Sequence, residues 1–91
     1  MDKDEVAKIL KPAFPGDLIE VDGENSYFTV SIVSDKFENL TKLKRQQFVY
    51  SCLADQISSG AIHALDFHLN TVSEFFFLMH ISTMVKPIKS K

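Results

Sequence analysis

The stretch Ser26-Tyr27-Phe28-Thr29-Val30-Ser31-Ile32-Val33-Ser34 decides how the rest of the chain is read. Phe28, Val30 and Ile32 alternate with Thr29, Ser31 and Val33. Successive side chains of a strand point to opposite faces, so this pattern predicts a half-buried β-strand. Just upstream, Asp22-Gly23-Glu24-Asn25 has the chemistry of a tight turn, with Gly23 free to take positive φ. Asp17 to Asp22 then reads as a partner strand, Ile19 and Val21 on one face and Leu18 and Glu20 on the other. The pair predicts a hairpin with one apolar face, and such a face needs a cover.

The flanking sequence supplies that cover as helices. Asp4 to Lys11 places Val6, Ile9 and Leu10 on one helical face, and Pro12 stops it. Phe14-Pro15-Gly16 connects this helix to the hairpin. Downstream, Phe37 to Leu40 reads as a turn or short helix, and Asn39 or Thr41 can cap the next helix. That helix is predicted from about Lys42 to Ser58, with Phe48, Val49, Cys52, Leu53 and Ile57 as its apolar stripe and Gly60 as a left-handed stop. Ala61 to Leu69 reads as a third strand, and Thr71 or Ser73 opens a last helix. The order α-β-β-(α)-α-β-α predicts an α+β fold, a three-stranded sheet with helices on one side, in a single domain over residues 1–91.

Composition limits the function classes. The net charge of −2, from 10 basic and 12 acidic residues, gives no overall attraction to a polyanion, since nucleic-acid affinity is mostly phosphate neutralisation. Cys52 is the sole cysteine, so neither an internal disulfide nor an all-thiolate metal site can form within the chain. The acidic start Met1-Asp2-Lys3-Asp4-Glu5 does not read as a signal or transit peptide, and the apolar run Phe75 to Val85 falls short of the roughly 20 residues that span a bilayer. A reducing, cytoplasmic setting without membrane partners is the expectation. No nucleophile–histidine motif, phosphate loop or His-Glu-x-x-His occurs, so a non-enzymatic role is expected.

The ordered words Phe28-Thr29-Val30-Ser31-Ile32-Val33-Ser34-Asp35-Lys36-Phe37-Glu38, Lys44-Arg45-Gln46-Gln47-Phe48-Val49-Tyr50, Gly60-Ala61-Ile62-His63-Ala64-Leu65 and Thr71-Val72-Ser73-Glu74-Phe75 resemble the BolA family. The match runs from about Ile19 to Phe75, and Lys-Arg-Gln-Gln resembles one branch more than the Arg-His-Arg form of another. The resemblance implies a variant of the type II KH fold. It also implies a complex with a monothiol glutaredoxin that shares a 2Fe–2S cluster, with glutathione among its ligands, in cluster delivery or iron regulation. By that resemblance His63 matches a cluster-ligating histidine. The position of the family's second ligand falls at Tyr27, in Ser26-Tyr27-Phe28 where Ser-His-Phe is common; a phenol matches a soft iron–sulfur centre poorly. The expected contact surface is Gly23, Ser26 and the turn around them, together with Lys42, Lys44 and Arg45, read as one basic patch. The isolated chain is expected to be a monomer or weak homodimer.

Plainer readings stand beside these. By alternation His63 shares a face with Leu65, Phe67 and Leu69, where a packed histidine would sit, and His68 lies on the other face, too far along to share a metal ion. Cys52 reads as a small buried hydrophobe. The basic patch could equally be a solvated face or, as the rival function, a nucleic-acid contact, although no Gly-x-x-Gly loop is present among Gly16, Gly23 and Gly60. The divergent tail, residues 76–91, begins Phe76-Phe77-Leu78-Met79-His80-Ile81 and ends in the basic Lys86 to Lys91. Burial of that apolar stretch against the sheet is expected, the alternative being an exposed surface for self-association or a partner.

Overall fold

The computed structural model describes the backbone of residues 1–89 and the side chains of residues 1–81. The chain runs α1 (Lys3–Leu10), a 3₁₀ turn (Lys11–Ala13), β1 (Leu18–Glu24), β2 (Tyr27–Val33), a second 3₁₀ turn (Asp35–Phe37), α2 (Lys42–Cys52), α3 (Ala54–Ser58), β3 (Ala64–Asn70) and α4 (Val72–Lys89). The α+β expectation holds, as a mixed sheet of order β1-β2-β3 in which β2 pairs antiparallel with β1 and parallel with β3. The register stacks one side chain from each strand into rows. Ile19, Ile32 and Leu69 form one row, Val21, Val30 and Phe67 the next, and Gly23, Phe28 and Leu65 the third. These rows make the inner face. Leu10, Val6, Val49 and Leu53 from the helices close over it with Phe14, Phe37 and Ile62. The opposite face carries Glu20, Ser31 and His68, and Asp22, Thr29 and Asp66.

Local chemistry explains the element ends. Asp2 and Glu5 cap α1 reciprocally, each carboxylate accepting from the other's backbone N–H at 2.9 Å. Pro12 falls in the 3₁₀ turn after α1. Thr41 caps α2 through the Lys44 N–H at 3.2 Å. The long helix expected from Lys42 to Ser58 is broken at Leu53, which turns its fully buried side chain into the core. Thr71 and Glu74 form the reciprocal box that opens α4, with N–H to Oε1 at 2.9 Å and N–H to Oγ1 at 3.2 Å.

The hairpin turn lies two residues beyond its expected place. β1 continues through Gly23 to Glu24, and Asn25 and Ser26 form the turn with φ of 55° and 71°. Two central residues with positive φ are the mark of a type I′ turn, which suits the twist of a hairpin and favours Asn followed by Gly. Ser26 is therefore the strained member. Ser26→Gly is expected to stabilise the protein by about 0.5–1 kcal/mol, read as a higher urea midpoint at an unchanged slope.

Two expectations are overturned. Arg45 is not part of a surface patch: it is 8% exposed and turned inward. The tail is not buried: Phe76, Phe77, Leu78, Met79 and Ile81 are 66%, 63%, 52%, 55% and 40% exposed. Local order explains this. α4 leaves the end of β3 as a helix with Phe75 half-buried at its base, and no element of the described residues lies beyond it to form a cover. The basic end, Lys86 to Lys91, lies outside the residues whose side chains are described.

Candidate functional site

The loop from Gly60 to His63 sets the position of the candidate ligand. Gly60, at φ +85°, ends the short α3. Ile62 then plunges into the core at 2% exposure, its N–H bonded to the Gln56 carbonyl at 3.0 Å. With Ile62 anchored inward, His63 emerges into solvent. The third strand starts only at Ala64, so the alternation that would have packed His63 with Leu65 does not reach it. The His63 and Ala64 N–H groups both donate to the Ser26 carbonyl, at 2.8 and 3.2 Å. The hairpin turn thus holds the backbone of the loop.

Tyr27 comes directly after Ser26 and is 59% exposed. Its ring meets the His63 imidazole edge-on, with centroids 6.2 Å apart and planes at 84°. The imidazole also lies near Gly60, where a Cβ would stand 3.8 Å from His63 Nε2. Among the described residues no hydrogen bond holds the imidazole; packing does. Gly23, Ser26, Tyr27 and His63 are therefore gathered at one end of the sheet.

Lys42 and Lys44 are exposed on the first turn of α2, but at the other end. Arg45, between them and the core, donates from Nη1 to the Leu69 carbonyl at 3.0 Å, next to the last residue of β3. Five residues of strand, about 16 Å, separate Leu69 from Ala64 beside His63. Arg45 itself is occupied: Nε donates to the Leu40 carbonyl at 3.0 Å, and the guanidinium grips both Glu74 oxygens at 2.6 and 3.0 Å. That grip, with the Thr71 N–H, holds the Glu74 carboxyl down from 4.5 to about 2. Charge pattern along one helix could not show this, because the partner lies 29 residues away.

Cys52 is half-buried, and burial pushes its thiol up, away from thiolate character. Among the described residues no group of three or more His, Cys, Asp or Glu stands together as a metal site. A cluster at His63 would need its remaining ligands from another molecule. The donor chemistry fits in part: an imidazole suits iron, whereas the phenol of Tyr27 does not.

The structure is a small α+β domain in which the exposed His63 stands at the mouth of the parallel β2–β3 pair. The BolA-like protein family model matches residues 7–74, and the chain belongs to the BolA-like family. A relative in Acinetobacter guillouiae, described as an uncharacterized protein in the rpoN-murA intergenic region, is 36% identical over 82% of this chain and 90% of that one. The acid stress protein IbaG of Escherichia coli is 31% identical over 82% and 89%. The DNA-binding transcriptional regulator BolA of Escherichia coli is 40% identical over 58% of this chain and 50% of its own. The BolA domain of SufE1 from Arabidopsis thaliana superposes with a TM-score of 0.72 at 26% identity, covering 79% and 93%. The family match ends at Glu74, one turn into α4.

Proposed function

We propose that this protein is a non-enzymatic partner of a monothiol glutaredoxin in the cytoplasm, where it helps to hold and pass on a 2Fe–2S cluster. The observation that carries this reading is the placement of His63: exposed, fixed by the Ser26 carbonyl, and braced by Tyr27 and Gly60. An imidazole offered to solvent by a loop tied to the hairpin turn can complete the coordination of a cluster whose thiolates come from the partner and glutathione. The cluster is cargo. The chain supplies one ligand and a shaped edge, and Gly23, Ser26 and Tyr27 belong to that edge.

The test is a titration of cluster-loaded monothiol glutaredoxin with this protein, monitored by visible circular dichroism. The wild type is expected to change the cluster spectrum and His63→Ala to leave it unchanged. Tyr27→His, which places a second imidazole beside the first, is expected to slow cluster loss by about tenfold, since outer and inner ligand changes commonly alter metal affinity by about 10–100-fold. An unaltered spectrum with the wild type would remove cluster sharing and leave a plain docking domain.

A second reading draws on the relative described as a DNA-binding regulator and on the exposed Lys42 and Lys44 at the start of α2. With Arg45 turned inward, that patch keeps two cations, and a KH-type backbone clamp lacks its Gly-x-x-Gly loop. Nucleic-acid binding, if this is the function, weakens steeply with added salt; no binding in low salt rejects it.

A further inference from the structure

The two edges of the sheet are guarded differently. On its open face β1 carries Glu20, Asp22 and Glu24, with Lys3 the cation beside the first two. A second β1 laid antiparallel would set carboxylate against carboxylate, and charge of this kind is a common protection of strand edges. β3 forms the other edge without such a guard. Ala64 to Asn70 runs in unbroken register with β2 and contains no proline. Its exposed open-face side chains, Asp66 and His68, are chemically unlike.

Two hydrogen bonds show which backbone groups of β3 face away from β2. Ala64 donates to the Ser26 carbonyl at 3.2 Å, and the Asn70 carbonyl accepts from the Ser34 N–H at 2.9 Å, so both residues turn toward β2. Alternation then sends the N–H and C=O of Leu65, Phe67 and Leu69 to the open edge. Arg45 Nη1, which reaches the Leu69 carbonyl from α2 at 3.0 Å, lies on that side. Gln46 and Tyr50, both uncharged, wall the edge on the helix side, and the Tyr50 ring stands 5.2 Å from that of Phe67.

We propose that β3 pairs antiparallel with β3 of a second copy about a two-fold axis at Phe67, joining two three-stranded sheets into one. Phe67 is the middle residue of Ala64–Asn70, so this register overlaps the whole strand. The two Phe67 residues exchange N–H and C=O, and the Leu69 N–H of each copy meets the Leu65 carbonyl of the other. Asp66 falls opposite His68 of the second copy on both sides of the axis. These are the close pairs of an antiparallel ladder, with Cα atoms about 4.5 Å apart. A carboxylate there accepts from an imidazole N–H. The other carboxylates in these rows, Asp22 and Glu20, stand two strands away, across Thr29 and Ser31. An axis at Leu65 or Leu69 shortens the overlap and loses both pairs. On the helix side the cation is Lys42, one turn before Gln46. Because α2 runs opposite to β3, Lys42 lies toward the Leu69 end, and the axis keeps it apart from its equal. A foreign extended peptide could use the same backbone groups; the match of Asp66 to His68 selects a second copy. The inference does not rest on the cluster reading.

Sedimentation equilibrium and amide hydrogen exchange of the full chain test it together. So short an interface is expected to give a Kd of about 100 µM. As dimer forms, exchange at the Phe67 and Leu69 amides should slow, while the Asp66 and His68 amides, turned toward β2, stay slow throughout. His68→Glu sets a carboxylate against Asp66 across both pairs and should weaken the dimer by about tenfold in low salt. Adding Asp66→Lys restores opposite charges and should recover it. Both side chains are exposed in the monomer, so the circular dichroism of each variant should match the wild type. A wild type still monomeric at about 500 µM overturns the proposal. So does a dimer that leaves the Phe67 and Leu69 amides unchanged, as contact through the exposed side of α4 would, or one that His68→Glu does not weaken.

Discussion

Arg45→Met is expected to remove about 3 kcal/mol of stability, read as a lower urea midpoint at an unchanged slope. One guanidinium ties three segments that are remote in sequence: the Leu40 carbonyl before α2, the Leu69 carbonyl near the end of β3, and the Glu74 carboxylate in the first turn of α4. Methionine keeps the length of the stem but donates nothing, so two carbonyls lose a donor and the Glu74 carboxylate keeps only the Thr71 N–H. Lysine restores the charge but cannot reproduce the two-pronged grip on Glu74, and Arg45→Lys should recover less than half of the loss. Glu74→Gln removes only the charge. Because 44% of the Glu74 side chain is exposed, water screens the pair, and that change should cost about 1–2 kcal/mol.

The same contact sets an acid limit. The carboxyl of Glu74 is lowered on folding, first by the Arg45 hydrogen bonds and then by the Thr71 N–H, from 4.5 to about 2. A lowered carboxyl stabilises the fold above its ordinary value, and that contribution is lost as the pH falls from about 4.5 to about 2. The wild type should therefore lose stability across this window more steeply than Glu74→Gln. Parallel pH profiles of the two would show that the pair is not the source of the slope.

What the sequence made legible is what local rules govern. Alternation in Phe28, Val30 and Ile32 is a property of one strand, and all three are buried. The caps at Thr41 and Thr71 are set within four residues of themselves. The two-residue shift of the hairpin turn is local, but three other features came out differently because they depend on distance. Arg45 looks like a surface cation until Glu74 and two carbonyls are brought to it by the sheet. His63 fits the alternation of β3 until Ile62, bonded to Gln56 in α3, claims the inward place. The apolar start of the tail argues for burial only if something is there to bury it, and the chain places α4 at the rim. At the candidate site, the candidacy of His63 comes from resemblance alone, whereas its backbone anchor, the Ser26 carbonyl, is an atom that no residue pattern marks.

That anchor makes Gly23→Ala the most informative substitution in the hairpin. Gly23 pairs with Phe28 at a φ of +116°, a region side-chain-bearing residues rarely enter. An added Cβ would run into the Tyr27 carbonyl oxygen and stand 2.9 Å from Phe28 Cα. Both are backbone, so no rotamer change relieves the clash, and the strands must part. A loss of about 3 kcal/mol is expected, a large share of the roughly 5–14 kcal/mol available to a domain of this size. Gly16→Ala is the control. It has φ +77° but nothing within 4 Å of the new Cβ, so it should cost only about 1 kcal/mol. The displaced strand carries Ser26 and Tyr27, the two residues that fix and brace His63. Gly23→Ala should thus shift the amide resonances of His63 and Ala64 even at temperatures where the variant remains folded, and, on the proposed function, weaken the spectral response of a cluster-loaded glutaredoxin; Gly16→Ala should do neither. If Gly23→Ala kept the wild-type urea midpoint and the wild-type His63 amide shift, the hairpin would not be what holds the imidazole in place, and its exposure would have to come from the Gly60–Ile62 loop alone.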